Sequence, residues 1–191
     1  MPAWLLVVVG YLLGSIPSGV LLARRRGVDL RSVGSGNIGA TNVARALGRK
    51  AGVVVLVLDA LKGLAAVLVA LAFGAREPIL AGVGLAAVLG HLFPVWLKLH
   101  GGKGVATSVG VLLGLVPAAG AAAAGAYLVV YGKTRMSSLG SLTGATAAAL
   151  AAPFVASSLP RLALAVVLFL TIVVTHRDNI RRLLRGEEGR V

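Results

Sequence analysis

Three short polar segments of this chain combine positive charge with glycines, small hydroxyl residues and amides. They cover residues 34–45, 101–107 and 176–182, and each lies at the end of a long apolar stretch. Free backbone N–H groups, together with Lys and Arg side chains, are the groups that bind phosphate in proteins. A soluble protein has little reason to place such segments at the ends of membrane-length stretches. Their position therefore indicates binding of phosphorylated molecules at one face of a membrane.

The first segment reads GSGNIGATN over residues 34–42 and is followed by Arg45. Three glycines in six residues let the backbone turn sharply and direct N–H groups towards one point. Arg45 can bind phosphate through two parallel hydrogen bonds. The alternative is a solvated loop with a helix cap at Ser35 or Thr41. The density of donors favours an anion site, whose candidate residues are Ser35, Gly36, Asn37, Gly39, Thr41, Asn42 and Arg45.

The second segment, HGGKGVAT over residues 100–107, precedes an apolar run that predicts a helix. A helix N-terminus attracts anions through its dipole and its free N–H groups, and Lys103 adds a full positive charge. The segment is not a Walker A loop, because glycine follows Lys103 where Ser or Thr is required. The alternative is an interfacial turn whose lysine reaches lipid phosphates. The candidate residues are Gly101, Gly102, Lys103, Gly104 and Thr107.

The third segment follows the last apolar run. His176 and Asn179 are three residues apart, which places them on one face of a helix. The neighbouring arginines are interpreted as a basic patch that holds the helix end at the membrane surface. Neither His176 nor Asn179 is needed for such anchoring, so both are candidate functional residues.

Two charged residues, Asp59 and Lys62, lie three positions apart inside a predicted span. Charges within a membrane are costly and usually have a function. A mutual ion pair that orients the helix explains them equally well. We therefore expect Asp59 and Lys62 to support the site from behind, together with His91, which lies at a predicted helix end.

Composition limits the class of protein. The chain has 191 residues, of which 58% are hydrophobic and 13% charged, and its mean hydropathy is +0.93. These values predict one all-α integral membrane domain over residues 1–191. The net charge of +13 is clustered rather than spread over a polar face, which argues against a nucleic-acid partner. Cysteine is absent and the three histidines are scattered, so neither a metal nor another cofactor is expected.

The number of crossings depends on one run, residues 105–130. As a single helix of about 39 Å it gives six crossings, whereas two short helices broken at Pro117 give seven. With seven, 16 of the 19 Lys and Arg residues fall on one side of the membrane. The positive-inside rule then predicts a cytoplasmic site, a C-terminus inside and an N-terminus outside. We therefore expect about seven membrane helices, some short or broken; the apolar runs are 3–23, 51–72, 78–97, 105–130, 142–158 and 160–175.

Five stretches together give the chain an end-to-end resemblance to a known family. It resembles the bacterial acyl-phosphate:glycerol-3-phosphate acyltransferases, the PlsY family. The stretches occur in the family's order; they are GSIPSG (14–19), SGNIGATNVAR (35–45), LDALKG (58–63), GHLFPVWLKLHGGKGVAT (90–107) and HRDNIRRLLRGEE (176–188).

The resemblance implies transfer of a fatty acyl group from acyl phosphate to the 1-hydroxyl of glycerol 3-phosphate. The products are lysophosphatidic acid and inorganic phosphate, in the first step of phospholipid synthesis. It also implies a seven-helix fold in the bacterial cytoplasmic (inner) membrane, with the site facing the cytoplasm. The resemblance implies that the residues at the matching motif positions form the catalytic core, with Ser141 as a weaker candidate; these residues are Ser35, Arg45, Lys103, His176 and Asn179. Whether His176 or a substrate phosphate takes the hydroxyl proton is open, although the resemblance favours the substrate.

Two other classes of protein compete with this interpretation. A transporter of a phosphorylated solute explains the basic residues and broken helices equally well. It predicts an inverted repeat and charges near the membrane midplane, and the sequence offers neither beyond Asp59 and Lys62. A purely structural membrane protein leaves the clustered amides unexplained.

Overall fold

The computed structural model describes every residue from Met1 to Val191, and all of its regular secondary structure is helical. Two 3-10 turns lie at Leu30–Ser32 and Val95–Leu97. The predicted all-α class is confirmed. Ten α-helices follow one another, namely α1 Ala3–Gly14, α2 Ser18–Arg24, α3 Ala40–Leu47, α4 Arg49–Ala72, α5 Glu77–Leu92, α6 Val105–Leu115, α7 Pro117–Thr134, α8 Ser137–Val155, α9 Leu159–Thr175 and α10 Arg177–Leu184.

The apolar run 3–23 is interrupted between α1 and α2. Pro17 has no N–H group and ends the run of helical hydrogen bonds. The interruption frees the Ile16 carbonyl, which accepts a hydrogen bond from Lys62 Nζ at 2.8 Å. Within a membrane such a break is tolerated only where protein groups replace the lost bonds. The Ser18 N–H donates to the same Ile16 carbonyl at 3.1 Å, so Lys62 and Ser18 together satisfy the break.

Helices α4 and α6 pack closely because glycines face the partner's backbone. A Cβ atom on Gly63 would lie 2.3 Å from the Thr107 carbonyl oxygen, and one on Gly110 would lie 1.9 Å from that of Ala60. In lipid, burial of apolar area does not drive helices together, so close contacts of small residues replace it. These contacts place the first turn of α6 beside the middle of α4.

Four helical stretches are long and apolar enough to cross a bilayer, namely Ala3–Arg24, Arg49–Ala72, Glu77–Leu97 and Ser137–Val155. A fifth is formed if α9 and α10, which are bent by 61° at their junction, are one span. The run 105–130 is two helices, because α6 ends at Leu115 and α7 begins at Pro117. Membrane-length, short and broken helices are thus confirmed, whereas the total of seven crossings stays a prediction.

The connection between α7 and α8 is short. Residues 131–141 separate the apolar runs 105–130 and 142–158, but α7 extends to Thr134 and α8 begins at Ser137. Ser137 faces the neighbouring helix, where its Oγ lies 3.2 Å from the Tyr127 hydroxyl. The serines at the start of α8 therefore lie in a contact between helices and not in an exposed loop.

An ion pair fixes the end of the bundle opposite the polar segments. Arg161 near the start of α9 binds Glu77 at the start of α5 through two hydrogen bonds of 2.7 Å. Its remaining Nη1 group donates to the Leu115 carbonyl oxygen at 2.6 Å, so it also satisfies the end of α6. Ser158 Oγ donates to the same carboxylate at 2.8 Å. Three helices are therefore held in register by one guanidinium.

We expect Arg161→Gln to lower the stability of the fold. The substitution leaves the Glu77 carboxylate and the Leu115 carbonyl without their partner, which costs about 2–4 kcal/mol. For a chain of this length the melting temperature should fall by roughly 5–15 °C. Heating the detergent-purified protein while recording the fluorescence of Trp4 and Trp96 measures it. Arg76→Gln is the matched control, since Arg76 is exposed on the same connection; equal melting of the two variants would contradict the assignment.

Candidate active site

The three polar segments meet at one end of the helical bundle. Lys103 of the second segment donates through Nζ to the Asn179 side-chain oxygen of the third. A second link is made by Thr175 Oγ1, which donates to the Lys103 carbonyl oxygen at 3.2 Å. The first segment joins the bundle through Thr41, whose Oγ1 lies 2.7 Å from Ser137 Oγ. The predicted convergence of the segments is therefore what the fold produces.

A carboxylate that the sequence analysis leaves without a role completes the contact between Lys103 and Asn179. Glu188 Oε1 accepts a hydrogen bond of 2.6 Å from Asn179 Nδ2, and Oε2 accepts one of 2.7 Å from Arg182 Nε. Asn179 therefore presents its oxygen to Lys103 and its nitrogen to Glu188. The chain after α10 turns back at Gly186, where φ is +70°. The spacing of nine residues gives no helical signal for this contact, so only the three-dimensional turn reveals it.

The charges around Lys103 determine its ionisation. Burial lowers the pKa of Lys103, and the neighbouring Arg182 and Arg45 guanidinium groups lower it further, while Glu188 and Asp178 oppose that shift. Burial alone would raise the pKa of Glu188. Hydrogen bonds from Asn179 and Arg182, with the adjacent Ser138 hydroxyl and the Arg182 charge, outweigh it and hold this pKa below its ordinary value. The site thus holds several cations around one ionised carboxylate.

His176 is buried where α9 ends. Its Nδ1 lies 2.8 Å from the Ile172 carbonyl oxygen. A carbonyl can only accept, so Nδ1 carries the hydrogen and Nε2 is left as an acceptor. Burial, followed by the nearby Lys103 charge, lowers the pKa of His176 to about 4. The imidazole is therefore neutral near pH 7 and offers one acceptor nitrogen.

Arg45 lies in the last turn of α3, where its side chain is exposed. A Cβ atom on Gly34 would lie 3.4 Å from Arg45 Cδ, and one on Gly189 would lie 3.5 Å from Arg45 Nη2. Arg45 therefore stands between the first segment and the chain that follows α10. Its guanidinium makes no hydrogen bond within the protein, so its donors are open to a ligand.

The first segment uses several of its donors internally. The Asn42 side chain is buried and binds both the Ser35 N–H at 3.1 Å and the Leu30 carbonyl at 3.0 Å. Asn37 Oδ1 accepts from the Gly39 N–H at 2.8 Å. Asn37, Asn42 and Gly39 thus shape the loop, whereas the Ser35 hydroxyl makes no hydrogen bond within the chain. Gly34 and Gly36 have φ values of +55° and +68°, the left-handed conformation that favours glycine.

Gly101 and Gly102 allow the second segment to approach the end of α5 closely. The Gly101 and Gly102 N–H groups donate to the Leu92 and His91 carbonyl oxygens at 2.9 and 3.1 Å. A Cβ atom on Gly101 would lie 2.0 Å from the His91 carbonyl oxygen, so a side chain has no room there. The N–H groups from Lys103 to Thr107 make no hydrogen bond within the chain. The open donors of this segment are therefore one turn later than the glycine pattern indicates.

A buried charged group lies behind this loop. Lys62 Nζ is 2.9 Å from Asp59 Oδ1, and the same carboxylate oxygen is 3.8 Å from His91 Nδ1. On its other edge the His91 ring fills the space beside Gly102, since a Cβ atom there would lie 2.2 Å from His91 Nε2. Asp59, Lys62 and His91 thus lie behind the second segment, and Lys62 also binds the broken first span.

Two further candidates lie on helices around the site. Ser141 is buried and its Oγ donates to the Ser137 carbonyl oxygen at 2.8 Å, which leaves the hydroxyl able only to accept from a ligand. Thr107 is fully buried, and its hydroxyl has no hydrogen-bond partner. Binding of substrate by either residue stays a prediction, as it does for the other candidates of the three segments.

Comparison with known proteins identifies the family. The profile of the family described as glycerol-3-phosphate acyltransferase matches residues 4–186. The chain belongs to this family. A glycerol-3-phosphate acyltransferase of Myxococcus xanthus is 54% identical, with 97% of each chain covered. One of Geobacter sulfurreducens is 47% identical over 97% of this chain and 96% of the relative, and one of Thermus thermophilus is 50% identical over 98% and 94%.

Two crystal structures of PlsY, described as an integral membrane glycerol 3-phosphate acyltransferase, have the same fold. The glycerol 3-phosphate form superposes with a TM-score of 0.93 at 45% identity, covering 99% of this chain and 95% of the other. The lysophosphatidic acid form gives a TM-score of 0.91 at 43% identity, covering 98% and 94%. The predicted family and the multi-pass integral membrane fold of this acyltransferase are therefore confirmed.

The Glu188 contacts predict a dependence of stability on pH. Because the pKa of Glu188 is lowered on folding, its ionised form stabilises the fold above the unfolded value and loses this effect as pH falls through the folded value. We expect Glu188→Gln to melt well below the unchanged chain at pH 7, and the difference to shrink as pH falls below about 4. Fluorescence-detected melting between pH 7 and pH 3.5 checks this, within the acid range where the bundle remains folded.

Glu187→Gln is the control, because the adjacent Glu187 is exposed and makes no side-chain contact. A difference between Glu188→Gln and the unchanged chain that stays constant with pH would contradict the prediction. So would an equal loss of stability in the Glu187 variant.

Proposed function

We propose that the protein transfers a fatty acyl group from an acyl phosphate to the 1-hydroxyl of glycerol 3-phosphate, releasing lysophosphatidic acid and inorganic phosphate. The observation that carries the proposal is Lys103, held by Asn179 at the N-terminus of α6 beside the unpaired N–H groups of residues 103–107. A cation and several N–H groups at one point suit a phosphate. Family membership and the glycerol 3-phosphate and lysophosphatidic acid forms of PlsY support it.

The reaction requires the protein to position two substrates and does not require a nucleophilic side chain. An acyl phosphate is an activated anhydride, so the glycerol 3-phosphate hydroxyl attacks the acyl carbon directly and the acyl–phosphate C–O bond breaks. Two anions must be held side by side against their repulsion, with the hydroxyl near the carbonyl. In the proposal, Lys103, Arg45 and the α6 N-terminus hold the phosphate groups, and Ser35 and Asn179 provide further hydrogen bonds. Donors at the developing oxyanion and the leaving phosphate contribute about 3–4 kcal/mol each.

We infer that the hydroxyl proton goes to a phosphate oxygen of the substrate. A neutral His176 whose pKa is about 4 is a weak base, whereas a phosphate monoester has a second pKa of about 6. His176 Nε2 then accepts a hydrogen bond from the 2-hydroxyl of glycerol 3-phosphate, which orients the attacking 1-hydroxyl and leaves its proton free to move to the phosphate. Its fixed Nδ1 contact with Ile172 supplies the rigidity that this role requires.

The supporting group and the topology complete the proposal. Asp59, Lys62 and His91 keep the second segment against the end of α5. The remaining candidates line the proposed substrate pocket; they are Gly36, Asn37, Thr41, Asn42, Gly101, Gly102, Gly104, Thr107 and Ser141. The positive-inside rule favours seven crossings of the bacterial cytoplasmic membrane with the site facing the cytoplasm and the N-terminus outside. The Glu77–Arg161 end of the bundle then faces outwards.

We expect purified protein in detergent to release phosphate from palmitoyl phosphate only when glycerol 3-phosphate is present, with one lysophosphatidic acid formed per phosphate.

Lys103→Ala and Arg45→Ala should each lower kcat/KM at least about 100-fold, because each removes a charge that stabilises the reacting phosphates. Lys98→Ala and Arg49→Ala are matched controls, since both residues are exposed and make no side-chain hydrogen bond.

The same assay separates the proposal from its rivals. Release of phosphate without glycerol 3-phosphate, or no release at all, counts against an acyltransferase and leaves transport or a structural role. Full activity in both Lys103→Ala and Arg45→Ala would overturn the site assignment while leaving the reaction intact.

His176→Ala tests the two roles of the histidine. If His176 orients the hydroxyl, the KM for glycerol 3-phosphate should rise about tenfold, the value of one hydrogen bond, with the shape of the pH profile unchanged. If His176 takes the proton, kcat should fall steeply and the acid limb of the profile should change. Steady-state kinetics from pH 5 to pH 8 distinguish the outcomes. His100→Gln is the control, because the His100 side chain is exposed and binds only the Lys98 carbonyl oxygen of its own loop.

A further inference from the structure

The side chain of Arg31 spans the gap between two of the three polar segments. Its Nη1 group donates to the Gly36 carbonyl oxygen at 3.3 Å, and its Nη2 group donates to the His100 carbonyl oxygen. These two acceptors are separated by 64 residues in the sequence and belong to the first segment and to the loop that begins the second. No other side-chain hydrogen bond in the structure joins these two segments. Arg31 is thus their direct polar link.

The backbone that carries Arg31 is itself fixed. Arg31 lies in the 3-10 turn Leu30–Ser32, and its N–H donates to Asp29 Oδ1 at 2.9 Å. Leu30 is buried, and its carbonyl accepts a hydrogen bond from Asn42 Nδ2 of α3 at 3.0 Å. The guanidinium therefore extends from a turn that is anchored to the same helix as Arg45. Because its backbone is fixed, the Arg31 side chain can hold the Gly36 and His100 carbonyl groups at a defined separation.

The charges of the site explain why a link is needed. The first segment contributes Arg45 and the second contributes Lys103; burial is the main cause of the lowered pKa of Lys103, and the like charge of Arg45 adds to it. Arg31 adds a third positive charge, so it cannot hold the segments together by neutralising them. Its planar fork instead presents several N–H donors to carbonyl oxygens, a geometry that lysine cannot reproduce. The contribution of Arg31 is therefore directional.

We propose that Arg31 is a positioning residue that sets the separation of the Arg45 and Lys103 segments. This inference rests on the proposed function, in which those two cations hold the phosphate groups of the reactants. Loss of the link lets the two segments move apart, and both cations then no longer meet the two phosphates in one geometry. Displacements of about 1 Å between reacting groups cost up to 100-fold in rate.

The first test compares Arg31→Lys, which keeps the charge, with Arg31→Gln, which removes it. Both should lower kcat/KM for palmitoyl phosphate and glycerol 3-phosphate at least about tenfold, because both lose the fork. Arg26→Lys and Arg26→Gln are the matched controls, since the Arg26 side chain is exposed and makes no hydrogen bond; they should stay within about twofold. Full activity of Arg31→Lys would overturn the proposal, because charge alone would then suffice.

The second test measures the separation itself. The chain has no cysteine, so spin labels can be placed at Arg49→Cys and Lys98→Cys, two exposed positions beside the linked segments. The distance distribution between the labels should be narrow with Arg31 present and should broaden or lengthen in Arg31→Lys and Arg31→Gln. An unchanged distribution would overturn the proposal even if activity falls. If the unchanged chain transfers no acyl group, the proposed function fails, while this measurement still decides whether Arg31 makes the link.

Discussion

The structure depends on holding positive charges together before any phosphate is bound. Lys103 is partly removed from solvent, and Arg45 and Arg182 lie close enough to oppose its ionisation. Water would normally screen such charges, but a site among membrane helices has little water to offer. Glu188 supplies the compensation, since its carboxylate binds Arg182 and, through Asn179, reaches Lys103. The chain bends by 61° between α9 and α10 and turns back at Gly186, and these two changes of direction bring the Glu188 carboxylate to the cations.

A second constraint is the depth of the site. The Thr107 carbonyl packs against Gly63, the fifteenth residue of α4, which lies about 21 Å along that helix from its first residue. The second segment therefore enters the bundle instead of lying across its end. Glycines at positions 101 and 102 make this entry feasible, because they let the loop press on the last carbonyls of α5. In the proposed reaction, an acyl phosphate can then bring its carbonyl to Lys103 while its chain remains among apolar helices.

Much of this arrangement could be predicted from the sequence, because the relevant signals are local. Apolar length predicts the spans, Pro17 and Pro117 predict the two breaks, and clustered glycines with Lys or Arg predict where the polar segments lie. Contacts between residues that share no periodicity could not be predicted. Glu188 and Arg31 reach their partners through a reversed chain and a long side chain, and neither leaves a pattern in the sequence. The same limit explains why the Gly101 and Gly102 N–H groups were expected to bind an anion, since the sequence does not show which carbonyls lie against them.

The two ends of the bundle differ in how completely their charged and polar groups are paired within the protein. At the Glu77–Arg161 end the Glu77 carboxylate and each guanidinium nitrogen of Arg161 have a protein partner. At the other end the cations outnumber the carboxylates, and the N–H groups of residues 103–107 are left unpaired. An unpaired donor set is costly unless a ligand completes it. The first arrangement maximises stability and the second retains binding capacity. The excess of donors over acceptors is therefore the physical property that distinguishes the proposed substrate end of the molecule from its opposite end.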